Sequence, residues 1–261
     1  TLGIAFLAIY LAIDEIGALA EANWGLVAIL VIVAAVFFVL FWNIESRKKD
    51  PMVTTHYLKQ RRTWGLLLTT LLTMTGVFAI MNGVVPAIAQ DPAMGVDMKP
   101  DMVSFATLTP YALLGLCFGP VAGVLASKFG YRSVLRAGLI ASIVGVLFGI
   151  FLSNNASIPS LVIISVVLGI AYAGTANIML NGLGIVLSPE DNPGYLPGMN
   201  AGAFNLGAGL SFAVLYAVMD AFAMNGAQVG YSAAMIAAAV LLGAALLASL
   251  FIPKPSDADN S

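Results

Sequence analysis

The side chains that could do chemistry inside the apolar runs of this chain are amides, hydroxyls, phenols and thioethers. Thr73, Thr75, Met81 and Asn82 share one run; Thr107, Thr109 and Tyr111 the next; Tyr172, Thr175, Asn177 and Asn181 a third; and Asn200, Asn205, Ser211 and Tyr216 a fourth. Groups of this kind exchange hydrogen bonds with an uncharged ligand or offer it aromatic and polarizable surface. None of them carries a charge near neutral pH. The charged residues nearest to a mid-run position are Asp220, towards one end of its run, and Arg136, at the start of another. Proton coupling normally needs a buried titratable group with a shifted pKa, so a coupling acid is expected from outside this sequence. The single Cys117 sits inside a run as a small hydrophobe, and the single His56 falls in a polar loop. No paired carboxylates, metal-ligand cluster, nucleophile with a base, or phosphate loop is visible, so the expectation is no enzyme activity, cofactor, metal or nucleic-acid partner.

The elements that must position these groups are membrane helices. With 60% hydrophobic and 9% charged residues and a mean hydropathy of +0.97, the chain is too apolar for a water-soluble domain. Crossing ~30 Å of hydrocarbon takes about 20 residues, and seven runs qualify: 24–42, 64–90, 104–126, 134–152, 159–187, 197–222 and 232–252. The stretch 1–13 is shorter, begins without Met and lacks the features of a signal peptide, so it reads as a helix cut in half. Arg47, Lys48, Lys49, Lys59, Arg61, Arg62, Lys128, Arg132, Arg136 and Lys254 all fall on one face of an alternating seven-span path, and Lys99 alone falls on the other, with Asp91, Asp97 and Asp101. The positive-inside rule makes the basic face, and with it the C-terminus, cytoplasmic.

Three parts follow: 1–63, linker helices with the first truncated, and a basic loop; 64–252, a set of six spans; and 253–261, a tail. Within the six, the runs 134–152 and 232–252 have almost no polar side chains in their middles, and each is the third of a triplet. Polar groups in hydrocarbon are costly unless they face a partner or water. The four polar runs should therefore line an interior and the two bland ones should face lipid. Two triplets of the same pattern are what an inverted three-plus-three repeat predicts.

Gly123-Val-Leu-Ala-Ser-Lys-Phe-Gly-Tyr-Arg-Ser-Val-Leu135 joins two of the runs through a tight basic loop. It resembles the signature loop of the major facilitator superfamily at Gly123, Leu125, Ala126, Lys128, Gly130, Arg132 and Leu135, and departs from it at Ser127, where the family pattern has Asp. Gly123 is expected to allow close helix approach and Gly130 a left-handed turn. Ser188-Pro-Glu-Asp191, followed by Gly194, Gly198, Asn200 and Asn205-Leu-Gly207-Ala-Gly209, resembles the C-terminal-half loop and eleventh core helix of drug:proton antiporters. Gly115, Gly119, Pro120 and Gly123 look like the glycine-proline antiporter motif, but that motif belongs to an N-terminal-half helix, and here the signature loop follows at once, so the likeness is set aside as coincidence.

The resemblance implies an all-α integral membrane protein, a major-facilitator-type six-helix half bundle of two inverted three-helix repeats, preceded by one complete and one truncated linker helix as in the fourteen-span branch. It further implies the C-terminal part of a plasma-membrane transporter that exports amphipathic drugs in exchange for protons by alternating access. Its partners would be a small-molecule substrate, protons, membrane lipid and the missing N-terminal half. A half-size subunit, a non-transporting partner, and a metabolite or sugar transporter of the same superfamily are the alternatives. The expected cavity residues are Met81, Asn82, Tyr111, Tyr172, Asn177, Asn205 and Tyr216, and the conformational loop residues are Gly123, Ser127, Lys128, Gly130 and Arg132. A neutral Ser127 cannot pair with a neighbouring cation, so Ser127→Asp should tighten the closure of the basic face. Spin-label distances across that face should report a larger closed population; unchanged populations would contradict this.

Overall fold

The structure, a computed structural model, describes residues 2–17, 23–45, 47 and 55–255. Lys48, Lys49, Glu21, the tail beyond Pro255 and the side chains of Asp14 and His56 lie outside the described residues. Every regular element described is a helix. Linker helices α1 (Leu2–Gly17) and α2 (Trp24–Glu45) come first, then one turn, α3 (Thr55–Leu58). The first triplet is α4 (Arg61–Ala79) running through a π-helical segment (Ile80–Val84) into α5 (Val85–Gln90); α6 (Pro100–Ala106) with α7 (Leu108–Phe129); and α8 (Tyr131–Asn154). The second triplet is α9 (Ile158–Leu168), a π-helical segment (Gly169–Ala176) and α10 (Asn177–Val186); α11 (Tyr195–Ala223); and α12 (Ala227–Ala248), which closes with a 3₁₀ turn, Ser249–Phe251.

Seven helical stretches are long and apolar enough to cross a membrane, and they coincide with the seven runs read from hydropathy. They start earlier in several places, at Arg61 and Pro100 for instance, because a helix continues past its apolar stretch into polar residues whose ends reach water. Helix starts follow local chemistry. Pro100 opens α6, where a missing N–H costs nothing. At α9, Ser157 and Ser160 cap each other's backbone N–H, with Ser157 N donating to Ser160 Oγ at 3.0 Å. At 16 residues, α1 is about 24 Å long at ~1.5 Å per residue. It lies along α11, and α2 packs on α1.

The two broken spans, α4–α5 and α9–α10, form the centre, with α11 packed on α4, α7 on the second π segment, and α8 on α12. This corrects one expectation. The third spans were expected to face lipid; they do so along one stripe each (Ile140, Val144, Leu147; Ile236, Val240, Leu247), but their other faces supply core residues Leu135, Leu139, Val146, Met235, Ala238 and Leu242. Lack of polarity reflects that double apolar role. Among the six core spans the second of each triplet are the least covered: in their apolar windows 11% and 17% of residues are buried, against 44% and 39% in the third spans.

Most hydroxyls in the spans serve the fold. Thr69, Thr73, Thr75, Ser142 and Ser165 each donate to the carbonyl four residues back, which satisfies the hydroxyl inside hydrocarbon. Asn200, 1% exposed, joins three spans: Thr70 Oγ1 donates to its Oδ1 at 2.6 Å, and its Nδ2 donates to the Leu180 carbonyl at 3.3 Å. Hydrogen bonds between membrane helices contribute about 0.6–1.7 kcal/mol. Asn200→Leu breaks two and should lower the thermal unfolding midpoint in detergent, while Asn205→Leu, on an exposed site, should leave it in place. Equal midpoints for the two variants would contradict the assignment.

Candidate functional site: the two broken spans

Each triplet opens with a helix that widens into a π turn inside the membrane. A π turn disturbs the i→i−4 ladder, and unmet backbone groups are costly in hydrocarbon. Side chains meet them. At the first break, the Ala79 N–H donates to Ser211 Oγ of α11 at 2.8 Å; at the second, Thr175 Oγ1 donates to the Ile170 carbonyl at 2.8 Å. Tyr216 lies across the first break, where a methyl group on Gly83 would fall 2.6 Å from its hydroxyl oxygen. Only glycine allows that approach.

Asn82 lies within the first π segment and Asn177 directly follows the second. Asn82 is exposed and donates its amide to the Phe78 carbonyl at 2.9 Å, leaving its carbonyl oxygen as an acceptor. Asn177 is half-buried; its Oδ1 accepts from Asn181 Nδ2 at 2.9 Å, leaving its NH₂ as a donor. One broken span thus offers an acceptor and the other a donor. No direct contact links the two asparagines among the described residues. Tyr111 is half-buried on α7, its backbone against Gly169 at the start of the second π segment.

The other expected cavity residues fall elsewhere. Met81 has 0% exposure and packs in the core. Tyr172 is buried, its hydroxyl against the Met74 sulfur. Asn205 faces the linker helix: with Phe6, Leu7 and Tyr10 it lines a crevice of about 380 Å³ between α1 and α11. Tyr216 lines a second crevice of about 270 Å³ with Tyr10 and Asp220. The seven residues are therefore divided among the broken spans, the core and the α1–α11 crevice. The signal for the breaks in the sequence is Gly83 and Pro86 at the first and Gly169 and Gly174 in the second, residues that weaken a regular helix, beside the neighbouring hydroxyls Ser211 and Thr175.

In the signature loop Gly130 takes the positive φ expected of it, whereas Gly123 does not make the expected close approach. Gly130 has φ +82° and ψ 145°, outside the left-handed helical region and open to glycine alone. A methyl on Gly123 would meet nothing within 4 Å; the close approach belongs to Gly115, whose added methyl would lie 2.6 Å from the Ala173 Cβ. Ser127 is exposed and donates to the Val124 carbonyl of its own helix at 2.8 Å. Lys128 is exposed. Arg132 reaches the end of the last span and donates to the Ile252 carbonyl at 2.9 Å. Arg136 joins it there, donating to the Ser249 carbonyl at 3.1 Å, and Arg61 donates to the Phe251 carbonyl at 2.9 Å. Three cations so cap the orphan carbonyls and negative dipole end of α12. On the same face, Tyr57 donates to the Asp191 carboxylate and its ring packs 5.1 Å from that of Tyr195; that hydrogen bond is the main cause pushing the Tyr57 phenol above its usual range.

The sequence matches the profile of the Major Facilitator Superfamily over residues 1–211 and again over 66–261. The chain belongs to the major facilitator superfamily. In this family of membrane transporters the six described core spans form the half bundle of two inverted triplets. The chain is 55% identical over 243 residues to the uridine/deoxyuridine transporter of Lactococcus lactis subsp. cremoris (strain MG1363), covering 92% of this chain and 51% of that relative. It thus spans about half the length of the curated relative it matches.

If the amides at the breaks meet substrate, Asn177→Leu in the intact transporter should lower transport roughly tenfold, the equivalent of one well-formed hydrogen bond, at unchanged protein level. Normal transport by that variant would contradict the placement.

Proposed function

We propose that this chain is the C-terminal part of a transporter that carries pyrimidine nucleosides of the uridine and deoxyuridine type. The observation that carries this reading is the 55% identity to a transporter named for those two compounds. The site chemistry supports it. The uracil ring offers an imide N–H flanked by two carbonyls, which suits an acceptor such as Asn82 and a donor such as Asn177, with Tyr111 available for an aromatic contact. An uncharged ligand of this kind needs no mid-span charge. The expectation of drug efflux rested on the Ser188–Asp191 loop and the glycines after it; a nucleoside, one of the metabolite substrates kept as the alternative, fits the relative better.

Alternating access would need a second six-span half, supplied by sequence outside this chain, facing the poorly covered second spans and the two breaks. The basic face is cytoplasmic by the positive-inside rule, which puts the Arg61, Arg132 and Arg136 clasp on the inner side of the plasma membrane. Coupling to protons would draw its acid from that second half. The arginine clasp, made within this one half, would keep the signature loop fixed to the end of α12 while the halves rock against each other, and the Tyr57–Asp191 contact would hold the linker loop on the same face.

Counterflow in proteoliposomes holding the intact transporter tests the substrate without assuming a direction. Labelled uridine should accumulate in vesicles preloaded with uridine or deoxyuridine, but not with glucose. Ethidium exchange without uridine exchange would overturn the nucleoside reading and restore the drug one.

A further inference from the structure

Between α7 and α8, on the half nearer the basic face, the helices diverge and leave an apolar groove of about 630 Å³ floored by the broken span α9–α10. Phe118, Phe129, Ala137, Ala141 and Val167 line it, with the Ser133 hydroxyl as a polar group towards its basic end. Ala137 and Ala141 are exposed there, so small side chains on α8 create the space. The floor is held close by Gly138, where a methyl would fall 2.9 Å from the Ala176 backbone nitrogen. Within a bilayer such a groove is filled by hydrocarbon.

The mouth of the groove is cationic. Lys128 directly precedes the lining residue Phe129, is exposed, and has no hydrogen bond or ion pair among the described residues. The N-terminus of the 24-residue α8 opens beside it: Val134 N–H is bonded to the Gly130 carbonyl at 3.3 Å, and the N–H groups before it point out of the helix end. Arg132 and Arg136 add positive charge while their guanidinium hydrogen bonds go to the end of α12. No Asp or Glu occurs between Asp101 and Glu190, so neither α7 nor α8 offsets this charge; in the nearby α10–α11 loop, Asp191 is held by Tyr57.

We propose that this groove is a binding site for an anionic phospholipid, with one acyl chain between α7 and α8 and the phosphate at Lys128, the Ser133 hydroxyl and the first turn of α8. The apolar lining selects a lipid chain, and the unpaired cation at the mouth selects negative charge.

Native mass spectrometry of the full-length transporter, titrated with phosphatidylglycerol or phosphatidylcholine, tests this. Phosphatidylglycerol should be retained in preference, and Lys128→Gln should cut its retention about fivefold, the value of one basic side chain near an anionic headgroup, with phosphatidylcholine unaffected. Ala141→Phe, which fills the groove from an exposed position, should release one lipid of either kind at an unchanged unfolding midpoint. Equal retention of the two lipids, or undiminished retention in Ala141→Phe, would overturn the site. So would failure of a lipid-soluble maleimide to label Ala141→Cys in lipid-free full-length protein, because the groove would then be covered by protein.

Discussion

Backbone polar groups in hydrocarbon must find partners within the protein, and this constraint decides where the bundle is allowed to depart from regular helix. The two departures sit in the first span of each triplet. At one, the Ser211 hydroxyl of α11 accepts from the Ala79 N–H; at the other, Thr175 takes the Ile170 carbonyl of its own helix. Packing follows from the first of these. Ser211 can reach Ala79 only because α11 lies against α4, and Gly207 provides the closeness: a methyl there would fall 2.5 Å from the Met74 Cβ and 2.8 Å from the Leu71 carbonyl.

The same constraint divides the polar side chains into two sets. Most of those fully buried are spent on the fold: Thr70 and Asn200 on a three-span junction, Ser142 and Ser165 on their own helices. Those at the breaks keep unused hydrogen-bonding capacity, Asn82 as acceptor and Asn177 as donor. A break therefore widens the helix and leaves an amide beside it with something to offer a ligand. At the basic end, the last span finishes in carbonyls held by Arg61, Arg132 and Arg136, which ties the signature loop to the end of α12.

How much of this was legible in the sequence depends on the range of the interaction involved. The seven spans were, because hydropathy over about 20 residues is a local property. The triplets were legible from alternating polarity, and the family from Gly130, Arg132 and their neighbours. The π segments were legible only as weak points, since Pro86 removes a donor just after Ile80–Val84 and Gly169 and Gly174 lower helix propensity in Gly169–Ala176; contacts such as that of Ser211, distant in sequence, decide the geometry. For the same reason Met81 and Asn82, adjacent in sequence, part company: one is buried in the core, the other exposed at the break. The close approach expected of Gly123 falls to Gly115 because helical phase, and not motif position, decides which glycine meets a neighbour. The substrate class was beyond reach, since amides and phenols serve drugs, sugars and nucleosides alike.

On the proposed function the two breaks, and not the crevice beside the linker helix, meet the substrate. Photolabelling of the intact transporter with a photoactivatable uridine analogue, followed by peptide mapping, tests it most directly. Adducts within residues 78–84 and 169–181 that excess uridine suppresses are the expected result. Suppressible adducts confined to Tyr10 and Asn205 in the α1–α11 crevice would contradict it.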